Sequence, residues 1–329
     1  MKKPLYSISA TELLTRVYED LSFLVPNLIP AVGVIILAAP PKTGKSFLVL
    51  FIAFMLSLAY PIFGYTTPEP VQGLYIAMED NEARLHRRLK KFGIEGNDNL
   101  VFVVKIEPGE TGIDQIDAYL EDHPQVKLII LDTLGYFFAQ SAQSTSGFLD
   151  DYQKVRLFKD LAERRKIAII LVHHTRKMPD INDEFNEVSG TTGITAAADA
   201  ILLLRRARGR NEAILSCTGR DFEDNRILLQ PDFKTGNWTV VEGDEISYLT
   251  GERREILRVL KNSETPMTPL QLSKVVFKSS KSISLLLSKL YEEGLVDKGE
   301  KYGTWFALKP NKPKEDIKLY KFESLQDPA

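Results

Sequence analysis

Eight consecutive residues, Ala39-Pro-Pro-Lys-Thr-Gly-Lys-Ser46, have the types and spacing to hold the phosphates of a nucleotide. They separate an apolar run, Val34 to Ala38, from a longer one, Phe47 to Ala59, which reads as strand, loop and helix. In a loop of this A-x-x-x-x-G-K-S form, backbone N–H groups and the helix N-terminus face the phosphates, where the helix dipole favours negative charge. Lys45 is expected to reach the β- and γ-phosphates, and the Ser46 hydroxyl to bind Mg²⁺. The first position is Ala39 instead of glycine, and Pro40 and Pro41 have no N–H to donate. The cradle therefore falls to the amides of Lys42 to Ser46, within a binding set of Pro41, Lys42, Thr43, Gly44, Lys45, Ser46 and Phe47. The plain alternative is a strand-to-helix turn that happens to contain Gly-Lys-Ser; apolar segments on both correct sides argue against it.

A phosphate loop specifies a nucleotide but no reaction. Leu128-Ile-Ile-Leu-Asp132 is an apolar strand ending in a carboxylate, the Walker B form, so Asp132 is expected to share Mg²⁺ with Ser46. Thr133 follows it, whereas ring ATPases of the AAA+ kind place the water-activating glutamate there. A carboxylate must come from elsewhere, and Glu79, ending Leu74-Tyr-Ile-Ala-Met-Glu79, is the candidate general base. Asp80 competes with it, and Glu79-Asp80-Asn81 could instead cap the next helix. Leu171-Val-His-His-Thr175 ends a further strand. Adjacent residues on a strand point to opposite faces, so one imidazole, His174, is assigned to sense the γ-phosphate, and a His173–His174 metal pair is disfavoured. Arg220, in Cys217-Thr-Gly-Arg-Asp221, could stabilise γ-phosphate charge. Arg205 and Arg206 are rivals, and pairing of Arg220 with Asp221 or Glu223 on the surface is an equal alternative.

The elements that must position these residues follow from hydrophobic pattern. The chain has 329 residues, 44% hydrophobic and 26% charged, with a net charge of −2, as for a globular protein of about two domains. One cysteine, Cys217, excludes a disulfide framework and suits a reducing cytoplasm. The N-terminus lacks the apolar core of a signal peptide, and Phe47 to Ala59 is too short to span a bilayer, so a membrane is not expected. Continuous apolar strands at 74–77, 101–104, 128–131 and 167–172 alternate with helical patterns near 83–92, 113–122 and 149–164. This rhythm predicts an α/β fold with a parallel sheet covered on both faces. A capping-box pattern, Ser9 to Glu12, predicts a helix from Ala10 to about Glu19. Arg176 to Gly193 reads as a long polar loop. Beyond Asp199, short strands at 201–204, 213–217, 227–229 and 238–241 predict an antiparallel extension.

After Gly251 the pattern changes again. A helix at 253–261, a second with a capping box at Thr268 and proline at its first position, and a third with Ile283, Leu286, Leu287 and Leu290 on one stripe precede two strands, 295–298 and 304–308. Three helices closed by a hairpin look like a winged helix. Eleven basic against seven acidic residues lie between Glu252 and Pro310, where a reader of duplex DNA would need them. Lys278, Lys281, Ser284, Ser288 and Lys301 are its candidate DNA contacts. The domains expected are an N-terminal segment (1–30), a nucleotide-binding domain (31–248), the winged helix (249–310) and a polar tail (311–329).

The set formed by the phosphate loop, Glu79-Asp80, Leu131-Asp-Thr-Leu134, Val172-His-His-Thr175 and Gly219-Arg-Asp221 resembles the RepA-like branch of the RecA/DnaB-type ATPases, which includes plasmid and phage replicative helicases. The resemblance covers roughly Ile8 to Val241. It implies a RecA-like P-loop core and a homo-oligomeric, hexameric ring with ATP between subunits. It also implies Glu79 as base, His174 as sensor, an arginine finger in trans near Arg220, and single-stranded DNA facing Ser141–Phe148 and Lys177–Thr192. The leading expectation is an ATP- and Mg²⁺-dependent DNA motor, a helicase or translocase of replication or mobile elements. A recombinase-like or loader ATPase that does not unwind, and a DNA-binding regulator switched by ATP, are the alternatives. A guanine-type Asn311-Lys-Pro-Lys lies in the tail and lacks its aspartate, which disfavours GTP.

Overall fold

The computed structural model describes residues 7–18, 21–65, 67–139, 147–176, 183–206, 211–241, 251–263, 265–292, 295–299 and 301–308. They divide into two units, 1–203 with 217–225 and 204–216 with 226–329. In the first, α1 (Ala10–Thr15) is capped by Ser9, whose hydroxyl accepts from the Glu12 N–H at 3.1 Å. The predicted box is only half made: the Glu12 carboxylate bonds Arg16, at 2.8 Å, and the helix stops at Thr15. None of its residues is buried, so no packing extends it to Glu19.

A short hairpin, β1 (Phe23–Val25) and β2 (Ile29–Pro30), leads into β3 (Gly33–Ala39), buried along its whole length. There follow α2 (Lys45–Ser57), β4 (Gly73–Ala77), α3 (Glu82–Lys91), β5 (Leu100–Val103), α4 (Gly109–Asp122), β6 (Leu128–Asp132), α5 (Leu134–Phe138), α6 (Phe148–Arg165), β7 (Ala168–His174), a 3₁₀ turn at Glu184–Glu187, α7 (Thr192–Ala197) and β8 (Ala200–Arg205). The strand order β8-β3-β7-β6-β4-β5 is parallel throughout.

β8 corrects one expectation on one side only: it pairs parallel with β3 (Ile35 opposite Ala200), while its other neighbour in the sheet is β9, the next of the short strands. A parallel neighbour needs a crossover. It is supplied by α7, which lies inside what reads as a polar loop because its six residues, Thr-Gly-Ile-Thr-Ala-Ala, carry almost no periodic signal. The short α5 escapes notice for the same reason.

On one face Val34, Ile36 and Ala38 of β3 join Ile129, Leu131, Ile169 and Leu171, under Ile116 and Leu120 of α4 and Val155, Phe158 and Leu161 of α6. On the other face packs α2, apolar all round, with eleven of its residues buried. Among the described residues no helix is long and apolar enough to cross a membrane.

The strand β9 (Ala213–Gly219) is divided between the units, its last three residues belonging to the first. In the second unit β10 (Asn225–Pro231) and β11 (Trp238–Val240) are antiparallel, as the short strands predict. Three helices follow, α8 (Gly251–Lys261), α9 (Pro269–Val276) and α10 (Ser280–Glu292), then an antiparallel pair, β12 (Val296–Lys298) and β13 (Trp305–Ala307). The box at Thr268 is complete, with Gln271 reciprocating and Pro269 opening the helix. Ile283, Leu287 and Leu290 are buried against Ile256, Leu257, Leu260, Leu272 and Val296, with Leu286 partly buried beside them. The tail from Asn311 lies outside the described residues.

Candidate active site

Sheet register sets the geometry. Ala39 lies opposite His174, Val172 opposite Asp132, and Asp132 opposite Ala77, so the C-terminal ends of β3, β7, β6 and β4 stand side by side. That edge of a parallel sheet is where ligands bind in α/β folds. The loop leaving β3 turns through two left-handed residues, Lys42 (φ 64°) and Gly44 (φ 109°), the second a conformation that glycine adopts without strain. Gly44 stands at the N-terminus of α2 and offers no side-chain cap, leaving the first amides of that 13-residue helix for an anion. The Thr43 hydroxyl donates to the Pro40 carbonyl, so the proline side of the loop contributes an acceptor and no phosphate donor.

Lys45 is buried, and its Nζ lies 3.3 Å from His174 Nδ1. Burial and the adjacent Lys45 charge hold the His174 imidazole below its ordinary pKa, so near neutral pH it is uncharged. Its Nδ1 then accepts from the Lys45 ammonium, which leaves the proton on Nε2, 3.9 Å from Glu79 Oε1. Glu79 Oε1 also accepts from the Thr133 hydroxyl at 2.7 Å. One polar chain therefore runs Lys45, His174, Glu79, Thr133 across four strand ends. The rival Asp80 is ion-paired with Arg84, at 2.8 Å, and with Arg88. The cap of α3 is Asn81, which accepts from the Arg84 N–H at 2.9 Å, so Glu79 is not a capping residue.

Asp132 is 3% exposed. Its Oδ2 accepts from the Tyr75 phenol at 2.9 Å, while Oδ1 is buried with no hydrogen-bond partner among the described residues. Burial raises the carboxyl pKa, opposed by the Ser46 hydroxyl, the Tyr75 phenol and the Lys45 charge. An orphaned buried carboxylate oxygen beside a serine hydroxyl is a hard-oxygen donor set that fits Mg²⁺. Tyr75 and Thr133 were not singled out from sequence. The available signal was that Tyr75 shares a strand face with Ala77, and that a buried phenol in an apolar strand needs a partner.

The other predicted residues fall in different places. His173 points away from His174, as alternation requires. Its Nε2 lies 3.1 Å from the Ser189 carbonyl, and burial lowers its pKa. The chain beyond His174 pairs with 187–189: Ser189 N–H donates to His174 O (2.9 Å) and Arg176 N–H to Glu187 O (2.7 Å). Of the two segments expected to face DNA, residues 141–146 and 177–182 lie outside the described residues. Pro41 and Lys42 are exposed. The Phe47 ring is covered by Arg88 (4.9 Å) and Lys91 (5.1 Å) of α3.

Arg220 is at the opposite edge of the sheet. Its N–H donates to Asp199 O at 2.9 Å, and its guanidinium to Ala196 O at 3.0 Å, beside the starts of β3 and β8. From there it does not meet the phosphate loop of its own chain. Among the described residues its carboxylate neighbour is Asp199 at 3.9 Å, in place of the Asp221 or Glu223 pairing that the sequence allows. In the second unit Arg206 stacks on Phe233 at 4.7 Å, while Lys281, Ser284, Ser288 and Lys301 are exposed and Lys278 half-buried. The Ser284 and Ser288 hydroxyls donate to carbonyls one turn back on their own helix. Cys217 is buried, which pushes its thiol pKa up and removes it from chemistry near neutral pH.

A family match and one solved structure are consistent with this fold. A family profile described as an AAA domain matches residues 9–180. The solved ATPase domain of G40P is similar in fold, with a TM-score of 0.51 and 14% identity over 64% of this chain and 86% of that one. The RadB recombinase structure matches at a TM-score of 0.47 and 12% identity, over 65% of this chain and 93% of that one. No curated protein matches the sequence.

Proposed function

Because the chain belongs to the AAA domain family, and so to the P-loop ATPases, we propose that it hydrolyses ATP at the edge formed by β3, β7, β6 and β4 and uses the energy as a DNA motor of the RepA-like type. The observation that carries the reading is the chain of contacts from Lys45 through His174 to Glu79, with Asp132 buried beside it. Lys45 neutralises the phosphates. Glu79, held by Thr133, accepts a proton from the attacking water, and His174 links the phosphate-binding lysine to that base. Asp132 Oδ1 and the Ser46 hydroxyl would hold Mg²⁺, which supplies charge neutralisation at the phosphates when bound. Thr133 stands where a neighbouring glutamate would, so the base has to come from β4.

Arg220, remote from the phosphate loop of its own chain, suits a finger acting on a neighbouring subunit in a ring. Each site is then completed only on assembly. The three helices and hairpin of the second unit, with exposed Lys281 and Lys301, suit a winged helix on duplex DNA. The core would take single strands. ATP turnover measured with and without single-stranded DNA tests the reading. Stimulation by DNA, together with a native mass near six copies in ATP, supports a motor. DNA-independent turnover by a monomer or dimer supports the ATP-switched regulator, and intact stimulated turnover without strand separation supports a loader.

A further inference from the structure

The buried phenol of Tyr75 has no part in the reading above, yet it touches the acid expected to hold the metal. Tyr75 lies opposite Ile130 in the β4–β6 register and Ala77 lies opposite Asp132, so Tyr75 and Asp132 are diagonal neighbours on one sheet face. An aromatic side chain spans that diagonal. The ring is fully buried and packs on Phe102 with centroids 5.6 Å apart. The phenol donates to Asp132 Oδ2 at 2.9 Å, a charge-assisted bond between two groups removed from water. Because Oδ2 is engaged, the orphaned oxygen is Oδ1.

We propose that Tyr75 is a positioning residue that fixes the Asp132 carboxylate so that Oδ1, and not Oδ2, is presented to a divalent cation bound with the nucleotide. The proposal rests on the nucleotide-site reading above and adds a determinant of metal affinity to it. Hydrogen-bond partners behind a metal ligand orient it, and their loss typically weakens metal binding by about 10- to 100-fold. Without the phenol, the Asp132 carboxylate loses the bond that fixes Oδ2, and Oδ1 is no longer held toward the cation.

The test uses the full chain with a fluorescent ADP analogue, titrated with Mg²⁺ or Mn²⁺ and, separately, in EDTA. Tyr75→Phe keeps the ring and removes one oxygen. The expected result is a rise of about tenfold in the cation concentration needed for half-maximal tightening of ADP binding. Affinity in EDTA should stay within about twofold of wild type. Phe102→Leu loosens the same ring packing without touching the phenol, and its cation dependence is expected to match wild type. Unchanged cation dependence in Tyr75→Phe overturns the proposal. So does an equal loss of affinity in EDTA, which marks a structural role only, or a Phe102→Leu shift as large as that of Tyr75→Phe. If wild type itself binds no ADP, the nucleotide-site reading falls and takes this proposal with it. A wild type that binds, with an unshifted Tyr75→Phe, removes the proposal alone.

Discussion

The two ends of one parallel sheet carry similar residues in opposite states. At the end where β3 and β8 begin, Asp199 is fully engaged: Oδ2 accepts from the Val34 N–H at 3.0 Å, and Oδ1 from Lys159 at 2.5 Å, with Arg220 at 3.9 Å. At the end where the strands finish, Asp132 keeps an orphaned oxygen, and Glu79 and His174 are about two-fifths exposed. Both ends place a lysine and an aspartate near β3. One has closed its polar groups on each other; the other gathers them beside the uncapped N-terminus of α2, with one carboxylate oxygen unpaired among the described residues. A satisfied network stabilises a fold, whereas an unsatisfied one in a cleft marks a binding site.

Substitutions at the two ends should therefore separate binding from stability. Lys45→Ala is expected to weaken ATP binding by about a hundredfold, the loss of a charge-assisted contact to phosphate, with little change in unfolding free energy. Equilibrium binding and urea denaturation of the same preparation check it. Asp199→Ala should do the reverse. It strands Lys159 and an N–H of β3, costing about 2 kcal/mol of stability, with ATP affinity kept within about threefold. Similar binding losses at both ends would erase the distinction.

Acid should reveal the open end next. Burial holds the His174 pKa down, as it does for His173, while the unfolded imidazoles protonate at about pH 6.5. Below that pH the unfolded chain binds more protons than the folded one, so stability falls as pH falls and recovers as pH rises. His174→Asn should flatten part of that slope between about pH 7 and pH 5 in denaturation experiments. An unchanged slope would mean that His174 titrates normally. The smallest effect expected is that of Thr133→Val, which removes one hydrogen bond to Glu79. It should slow turnover by about fivefold, roughly 1 kcal/mol, without altering ATP affinity.

The proposed site at the open end is legible in the sequence, because phosphate binding would require particular residues at fixed spacing. Ala39 to Ser46, Asp132 and Glu79 announce themselves, and strand alternation correctly separates His173 from His174. The closed end is not legible in that way. Asp199, Lys159 and Val34 are far apart in the chain, and only the crossover through α7 brings them together. Six residues of Thr, Gly, Ile and Ala resemble a loop, so the pattern hides the crossover and with it the parallel pairing of β8 with β3. The same blindness hid Tyr75: a tyrosine in an apolar strand reads as core, and its hydroxyl finds Asp132 only through register. Ser9 to Glu12 shows the converse, a local pattern that half fails because no tertiary contact supports it.

The claim on which all this depends is that Glu79, two residues beyond the end of β4, is the base that the residue after Asp132 does not supply. The direct test is single-turnover ATP hydrolysis by Glu79→Gln with Mg²⁺ and single-stranded DNA, beside a measurement of ATP binding by the same protein. The account predicts ATP bound as in wild type and hydrolysis reduced by about 10²- to 10⁴-fold. Hydrolysis at the wild-type rate with ATP bound would contradict it.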